Sequence, residues 1–240
     1  MPSTSEVGHA KNVANLQKLT EQVITFTNYN PPVDNLKVVN LQTLYTTASA
    51  KLSEVEDKRH ANKNAITLRQ SSFENLKSTS TKIINHLEIL GLPQGTIDQA
   101  KSLNRVIQGG QKKTTTPPDE NGQPAPTVST SRQSYTQQAE NFGILLQLLS
   151  TIPTYNPNED DLKLANLNTY KDSLVSSTQS VDQTEAELNL KLIERDQLLY
   201  ADGTGLYSIA QNVKKYVKSI YGATSPEYTN VSDIEFTNRK

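Results

Sequence analysis

The side chains best suited to catalysis or metal binding are sparse in this chain. It has no cysteine, so it offers neither a thiol nucleophile nor a thiolate ligand. Its three histidines, His9, His60 and His86, are not spaced to pair on one helix face, and Glu88 lies close to His86 in sequence. We interpret each histidine as part of a solvated helix face, and we predict neither a metal site nor a cofactor.

Three further motifs fail to indicate an active site. The run Asp202-Gly203-Thr204-Gly205 partly resembles the Asp-Thr-Gly motif of aspartic proteases, but its helical context predicts a turn that ends a helix. The acids Glu159, Asp160 and Asp161 are typical of a first helical turn, where the helix dipole favours them. Gly110 is followed by Gln111 and not directly by Lys-Ser or Lys-Thr, and no strand is predicted before the pair, which argues against a phosphate loop. We conclude that the chain is not an enzyme and has no evident small-molecule substrate.

One cluster of cations and aromatic rings could bind an anionic surface or a single-stranded nucleic acid. It lies on the last long helix and consists of Tyr207, Lys214, Lys215, Tyr216, Lys218 and Tyr221. The alternative is a plain solvated face, in which Val213, Val217 and Ile220 face the core and the lysines point outward. The formal net charge of -1 argues against a general nucleic-acid binder.

The elements that would position these residues occur twice. An ungapped alignment of the chain with itself at a shift of 126 positions contains identical residues, among them ten pairs between Tyr29 and Arg195. Beyond Phe73 the shift becomes 130 and pairs apolar residues such as Leu76 and Leu206. The ten pairs are Tyr29/Tyr155, Asn30/Asn156, Pro31/Pro157, Leu36/Leu162, Lys37/Lys163, Asn40/Asn166, Leu41/Leu167, Thr43/Thr169, Val55/Val181 and Arg69/Arg195. The pattern indicates an internal duplication.

A heptad pattern follows each Tyr-Asn-Pro. Asn as N-cap and Pro at the first helical position predict that a long helix starts at each pair. Alternating steps of three and four residues then predict one buried stripe on each helix. Arg69 and Arg195 fall on these stripes. They are either paired residues that fix the register, or residues whose stems cover apolar surface while their guanidinium groups reach water.

These patterns predict an all-α protein, an elongated helical bundle built from two tandem three-helix units with long heptad-patterned central helices. We expect the first repeat at 1–108, a disordered Pro/Thr/Gly-rich linker at 109–131 and the second repeat at 132–240. The first long helix either breaks near Lys77 to Thr81 or continues to Leu90. Ser225-Pro226 predicts another helix start, and Ile234 and Phe236 predict a short strand or an extended tail that packs back.

Composition is consistent with a protein outside the bilayer. The mean hydropathy is -0.59, and no window approaches the roughly 18 consecutive apolar residues of a membrane span. The start of the chain lacks the basic and apolar regions of a signal peptide, so we expect a cytoplasmic location or export by another route.

The run Tyr155-Asn156-Pro157-Asn158-Glu159 through Leu162, together with Tyr216-Val217-Lys218 and Ser225-Pro226-Glu227-Tyr228, resembles a group of uncharacterised bacterial tandem helical-repeat proteins. The resemblance covers most of the second repeat and part of the first, which departs from it at Pro32-Val33. It implies the helical fold and brings no function and no site residue.

We therefore expect a structural or scaffolding protein that acts through helix–helix contacts, with a protein partner or a second copy. Residues 1–110 have 12 basic and 9 acidic side chains, whereas 133–240 have 9 and 14, so the two halves could attract each other. The alternatives are a binding module for an anionic partner through the last helix, and a helical membrane-active secreted protein.

Overall fold

The computed structural model describes residues 4–109 and 133–238. They form eight α-helices, two short 3-10 helices and no strand, which confirms the predicted all-α class. The 3-10 helices are Asp34–Leu36 and Asp160–Leu162. The predicted linker, 109–131, lies outside the described residues apart from Gly109. The α-helices are α1 (Thr4–Ile24), α2 (Val38–Phe73), α3 (Leu76–Glu88), α4 (Gln94–Gln108), α5 (Tyr135–Ser150), α6 (Leu164–Tyr200), α7 (Leu206–Tyr221) and α8 (Pro226–Ser232).

The described residues divide into two compact units. Those up to Asn62 and from Thr184 form the first unit, and those from Lys63 to Gln183 form the second. The first unit contains α1, α7 and α8 with the start of α2 and the end of α6. The second contains α3, α4 and α5 with the end of α2 and the start of α6. Each unit thus takes helices from both halves of the sequence. The two units divide the chain differently from the predicted repeats, 1–108 and 132–240.

The core of the first unit forms where the apolar stripe of α1 meets α7. Leu16 and Leu19 on α1 have no exposed surface, and neither do Val213 and Val217 on α7. Burial of each such side chain contributes about 1.5–3 kcal/mol. The wider cluster adds Val13, Val23, Leu36, Leu41, Ala48, Leu199, Leu206, Ile209, Ala210 and Val231.

The core of the second unit is centred on α5, which carries four of its large buried side chains. Phe142 is fully buried, and its ring lies edge-on to that of Tyr170 at a centroid distance of 5.7 Å. The Tyr170 hydroxyl donates to the carbonyl oxygen of Ser72 at 2.9 Å, which fixes α6 to the end of α2 in this unit. The other members include Phe73, Leu76, Ile83, Leu87, Ala100, Ile107, Leu145, Leu146, Leu149, Leu162, Leu167 and Leu174.

The predicted heptad positions of α2 and α6 are buried or half-buried, with Glu185 as the exception. The helices begin later than the Asn-Pro pairs, however, at Val38 and Leu164. Pro31 and Pro157 are instead buried in the segment before each 3-10 helix. The side chains that hold these segments are described below.

Three open points of the sequence prediction now have definite positions. The first long helix ends at Phe73, earlier than the expected break, and Lys77 to Thr81 lie inside α3. Ser225 caps α8 as predicted, because its hydroxyl oxygen accepts from the Tyr228 amide at 3.0 Å and Pro226 opens the helix. Residues 235–238 have no regular secondary structure, and Ile234 and Phe236 pack back on the core of the first unit.

Candidate interaction sites

The connectors that lead into the two long helices, residues 25–37 and 151–163, contain the same tyrosine hydrogen bond. The Tyr29 hydroxyl donates to the Leu36 carbonyl oxygen at 2.7 Å, and the Tyr155 hydroxyl donates to that of Leu162 at 2.8 Å. In each connector the tyrosine closes a loop of seven residues onto the end of the 3-10 helix. Because this loop holds the connector backbone in a non-α-helical conformation, α2 and α6 begin several residues after the Asn-Pro pairs.

An asparagine in the first turn of each long helix completes its connector. The side-chain amide of Asn40 donates to the Asp34 carbonyl oxygen at 2.6 Å, and Asn166 makes the same bond to Asp160 at 2.6 Å. These are the repeated asparagines of the sequence alignment. Their identity in both halves is explained by this bond, because it gives a second donor to the carbonyl group that already accepts from the amide of Lys37 or Lys163 and so ties the 3-10 helix to the long helix.

Each connector also packs an aromatic ring on a neighbouring helix of its own unit. Tyr29 lies edge-on to Tyr216 of α7 with centroids 5.4 Å apart, and Tyr155 lies edge-on to His86 of α3 at 5.4 Å. His86 and Tyr216 correspond at the shift of 130 residues. Burial raises the pKa of Tyr29 and raises that of Tyr155 to about 12.

An alkaline titration should reveal the buried tyrosines among the ten of the chain. Burial also raises the pKa of Tyr170 to about 12, whereas tyrosines of the unfolded chain ionise near pH 10. The folded state therefore holds these protons more tightly, so the free energy of unfolding should fall as the pH rises from about 10 towards 12.

Tyrosinate absorbance measures this directly, with the protein unfolded in guanidinium chloride as the reference. Tyr155→Phe should remove one proton from the late phase of the folded protein. Ten tyrosines that ionise together near pH 10 while the helical circular dichroism is retained would contradict the expectation.

In the first unit, four charged residues link α2 to α6 in a closed ring. Lys51 Nζ lies 2.8 Å from Glu54 and 2.9 Å from Glu194, and Lys191 Nζ lies 3.2 Å from Glu54 and 2.9 Å from Glu194. Glu54 and then Glu194 raise the pKa of Lys51, while Lys51 and then Lys191 lower that of Glu194. The ring, with the pairs Lys58–Glu187 and Asn62–Thr184, aligns the two helices antiparallel.

A buried polar cluster lies between α1 and the end of α6. The Nδ1 atom of His9 is 2.7 Å from the Tyr200 hydroxyl, and the Asn12 side-chain amide donates to the same oxygen at 3.3 Å. The His9 Nε2 atom lies 4.0 Å from the Asp196 carboxylate. His9 is fully buried and Asn12 is 1% exposed. Such groups are tolerated inside a protein because they are hydrogen-bonded to each other.

The interpretation of all three histidines as a solvated face is therefore wrong for His9. His60 is exposed, and His86 is half-buried beside the Tyr155 ring. The sequence around His9 gives no signal of its burial, because its partner Tyr200 lies 191 positions away. Only the periodic position of His9, one turn before Val13 on the apolar stripe of α1, could have indicated it.

The two arginines predicted on the heptad stripes have different surroundings. The Arg195 side chain is 3% exposed, and its Nε and one terminal nitrogen donate to Asp196 Oδ1 at 2.9 and 2.8 Å. Arg69 is half-buried and stacks over the Tyr135 ring, 4.3 Å from its centroid. Both guanidinium groups are thus engaged within the protein.

The cationic patch predicted on α7 is divided. Lys214 points to the end of the chain and donates to the carbonyl oxygens of Ser232, at 3.1 Å, and of Ile234. Burial lowers the pKa of Lys214. Lys215 and Lys218 are exposed and Tyr207 is half-buried. Lys214 therefore stabilises the fold, and anion binding through Lys215 and Lys218 stays a prediction.

Among the described residues, an apolar row on α6 and a groove beside α5 also lie outside these clusters. On α6 in the first unit, Ala186, Leu190 and Ile193 form an exposed row, with Leu190 53% and Ile193 57% exposed. In the second unit, a groove of about 460 Å³ separates α5 from α6 and is lined by residues that include Ala139, Gly143, Lys171, Val175 and Thr178.

Within residues 4–109 and 133–238 there is no group of acidic and histidine side chains that could hold a metal ion. None of the helices in that part of the chain has the length and apolar character needed to cross a bilayer. No protein-family model, curated protein or solved structure matches the sequence or the fold. The resemblance to bacterial helical-repeat proteins therefore stays a prediction.

Proposed function

We propose that this protein is a non-enzymatic structural or scaffolding protein that acts through helix–helix contacts, and that its partner is a second copy. The observation that carries the proposal is the exposed row Ala186, Leu190 and Ile193 on α6. Its spacing of four and three residues places three apolar side chains on one helix face, as in helix pairs.

The charged ring explains why this row faces away from α2. Lys191 and Glu194, the residues that follow Leu190 and Ile193, are held towards Lys51 and Glu54 of α2. Because neighbouring positions on a helix point about 100° apart, the apolar row is turned to the side. Two copies of such a row can pack antiparallel about a twofold axis, since the surface is then complementary to itself.

The row is small, so the self-association should be weak. Stable interfaces bury about 1,200–2,000 Å² in total, and two helices in contact over two turns bury less than that. We expect a monomer–dimer equilibrium visible at protein concentrations of roughly 0.1–1 mM. At these concentrations the free energy gained by burying the apolar row should offset the entropy lost when two chains associate.

Light scattering after size exclusion tests this prediction. The natural chain should show a mass that rises with concentration, and the double variant Leu190→Glu, Ile193→Glu should stay a monomer, because two carboxylates would have to be buried in the contact. Leu68→Glu, at another exposed apolar position of a long helix, is the matched control and should dimerise as before. A natural chain that is monomeric throughout this range would contradict the proposal.

We further propose that the chain is an internal duplication in which corresponding helices have exchanged places. The support is the recurrence of the connector bonds at a spacing of 126 residues. The first connector packs on α7, and the second packs on α3, its counterpart from the other repeat. In this proposal each compact unit combines the first part of one repeat with the last part of the other.

A further inference from the structure

Residues 232–237 are bound by side chains of α1 and α7 as a peptide would be bound by a receptor. The side-chain amide of Asn12 donates to the Thr237 carbonyl oxygen at 2.8 Å, and its oxygen accepts from the Thr237 amide at 2.9 Å. Asn15 donates to the carbonyl oxygen of Glu235 at 2.7 Å. Together with the Lys214 bonds to Ser232 and Ile234, these bonds engage main-chain groups of four residues, 232, 234, 235 and 237.

The side chains of residues 232–237 alternate in burial. Ser232, Ile234 and Phe236 are half-buried, whereas Asp233, Glu235 and Thr237 are exposed. Ile234 and Phe236 pack against the core of the first unit. The Lys214 ammonium group lies 5.4 Å from the centroid of the Phe236 ring, and Lys11 pairs with Glu235 at 3.1 Å.

The receptor side of this contact is buried in α1. Asn12 and Asn15 are 1% and 7% exposed, and the apolar residues Val13 and Leu16 alternate with them on the helix. An asparagine amide that matches both the N–H and the C=O of one residue recognises extended backbone without regard to the side chain. The groove, which is the surface of α1 and α7 that this segment covers, thus combines hydrogen-bond partners for main-chain groups with an apolar floor for Ile234 and Phe236.

We propose that this groove is a peptide-binding site, and that residues 233–238 of a second copy occupy it in a reciprocal exchange of tails. This inference deepens the proposed function and rests on it for the identity of the partner. Every copy carries the segment that the groove fits.

In the single chain the tail competes with any peptide supplied in solution. A tethered segment has an effective concentration in the millimolar range, so the natural chain fills its own groove unless the copies are concentrated. Exchange of an identical segment forms the same contacts in the dimer as in the monomer, which is why such exchange requires no new interface.

The test uses two full-length variants, each of which lacks one half of the contact. The donor, Asn12→Ala with Asn15→Ala, has a damaged groove and an intact tail. The acceptor, Ile234→Ser with Phe236→Ser, has an intact groove and a tail that binds poorly. Both also carry Leu190→Glu and Ile193→Glu, so that failure of the α6 contact cannot be confused with failure of tail exchange.

Each variant alone should be a monomer by light scattering, and an equimolar mixture should contain a one-to-one complex. A fluorescent peptide with the sequence of residues 231–238 should bind the acceptor at least roughly tenfold more tightly than the natural chain, whose own tail competes. Asn12→Ala and Asn15→Ala introduced into the acceptor should lower its affinity for the peptide by roughly a hundredfold, since three hydrogen bonds are lost. The control is the same peptide with serine in place of both Ile234 and Phe236.

A measurement on the natural chain covers the case in which a variant fails to fold. The Thr237 amide is protected by Asn12, so an excess of the 231–238 peptide should raise its hydrogen-exchange rate as the tail is displaced, while amides of α5 stay unchanged. Unchanged exchange at Thr237, or folded variants that neither bind the peptide nor form a mixed complex, would overturn the proposal.

Discussion

Residues 133–240, produced alone, are expected to form a dimer rather than a folded monomer. In the whole chain the second connector packs on α3, and α3 is absent from this fragment. Its counterpart α7 is present, with Leu206, Val213 and Val217 buried where α3 has Leu76, Ile83 and Leu87. The connector precedes the 37-residue α6 and α7 follows it, so α7 cannot reach the connector of its own copy while α6 remains helical.

A second copy can supply α7 to that connector, which would restore one unit twice in a symmetric dimer. Analytical ultracentrifugation together with circular dichroism would show helix content that is lost on dilution. Val217→Asp places a charge in the buried surface of α7 and should abolish the dimer, whereas Lys215→Asp on the exposed face should leave it intact. A fragment that folds as a monomer, or stays unfolded at high concentration, would refute the proposed exchange.

Phe142→Ala is expected to lower the free energy of unfolding by about 3–5 kcal/mol, the largest effect of a single substitution that we predict. The side chain has no exposed surface, and its edge-on contact with Tyr170 would be lost with it. Tyr170 is also the residue whose hydroxyl reaches Ser72, so a relaxed ring would weaken the bond between α6 and α2 in this unit. Denaturant unfolding measures the change.

Phe142→Leu is the matched control, because leucine leaves a much smaller cavity and should cost about 1.5 kcal/mol or less. Hydrogen exchange should show that amides of α5 lose protection in Phe142→Ala. Equal midpoints for the two variants would mean that the site collapses around alanine, and that the packing of α5 is looser than its burial indicates.

The sequence allowed much of the fold to be predicted, because helix burial has a local period. The stripe that runs from Ala48 to Phe73 on α2 could be found from spacing alone, and Ser225 with Pro226 marked α8. The pairing of Tyr29 with Tyr155 was also visible. The structural role of these two tyrosines could not be predicted, since a tyrosine that donates a hydrogen bond to a carbonyl seven residues onward has no established sequence signature.

The candidate sites were harder to predict because their partners are distant in sequence. The sequence suggests that Lys214 is an exposed cation. The structure shows that its ammonium group instead donates to main-chain carbonyl oxygens, among them that of Ile234. The sequence gives no signal for the role of Asn12 and Asn15, because asparagines on a helix usually face water. The Asn-Pro pairs suggested a helix start because capping rules are local, whereas the buried prolines are held by tertiary contacts.

The ring of Lys51, Glu54, Lys191 and Glu194 places each cation between two anions and takes one residue of each sign from each helix. Reversing one sign puts like charges together on both sides, whereas reversing all four reproduces the alternation. Descendants of this chain should therefore drift at these positions in compensated sets, and two lineages could carry mirror-image patterns of charge on an unaltered helical frame.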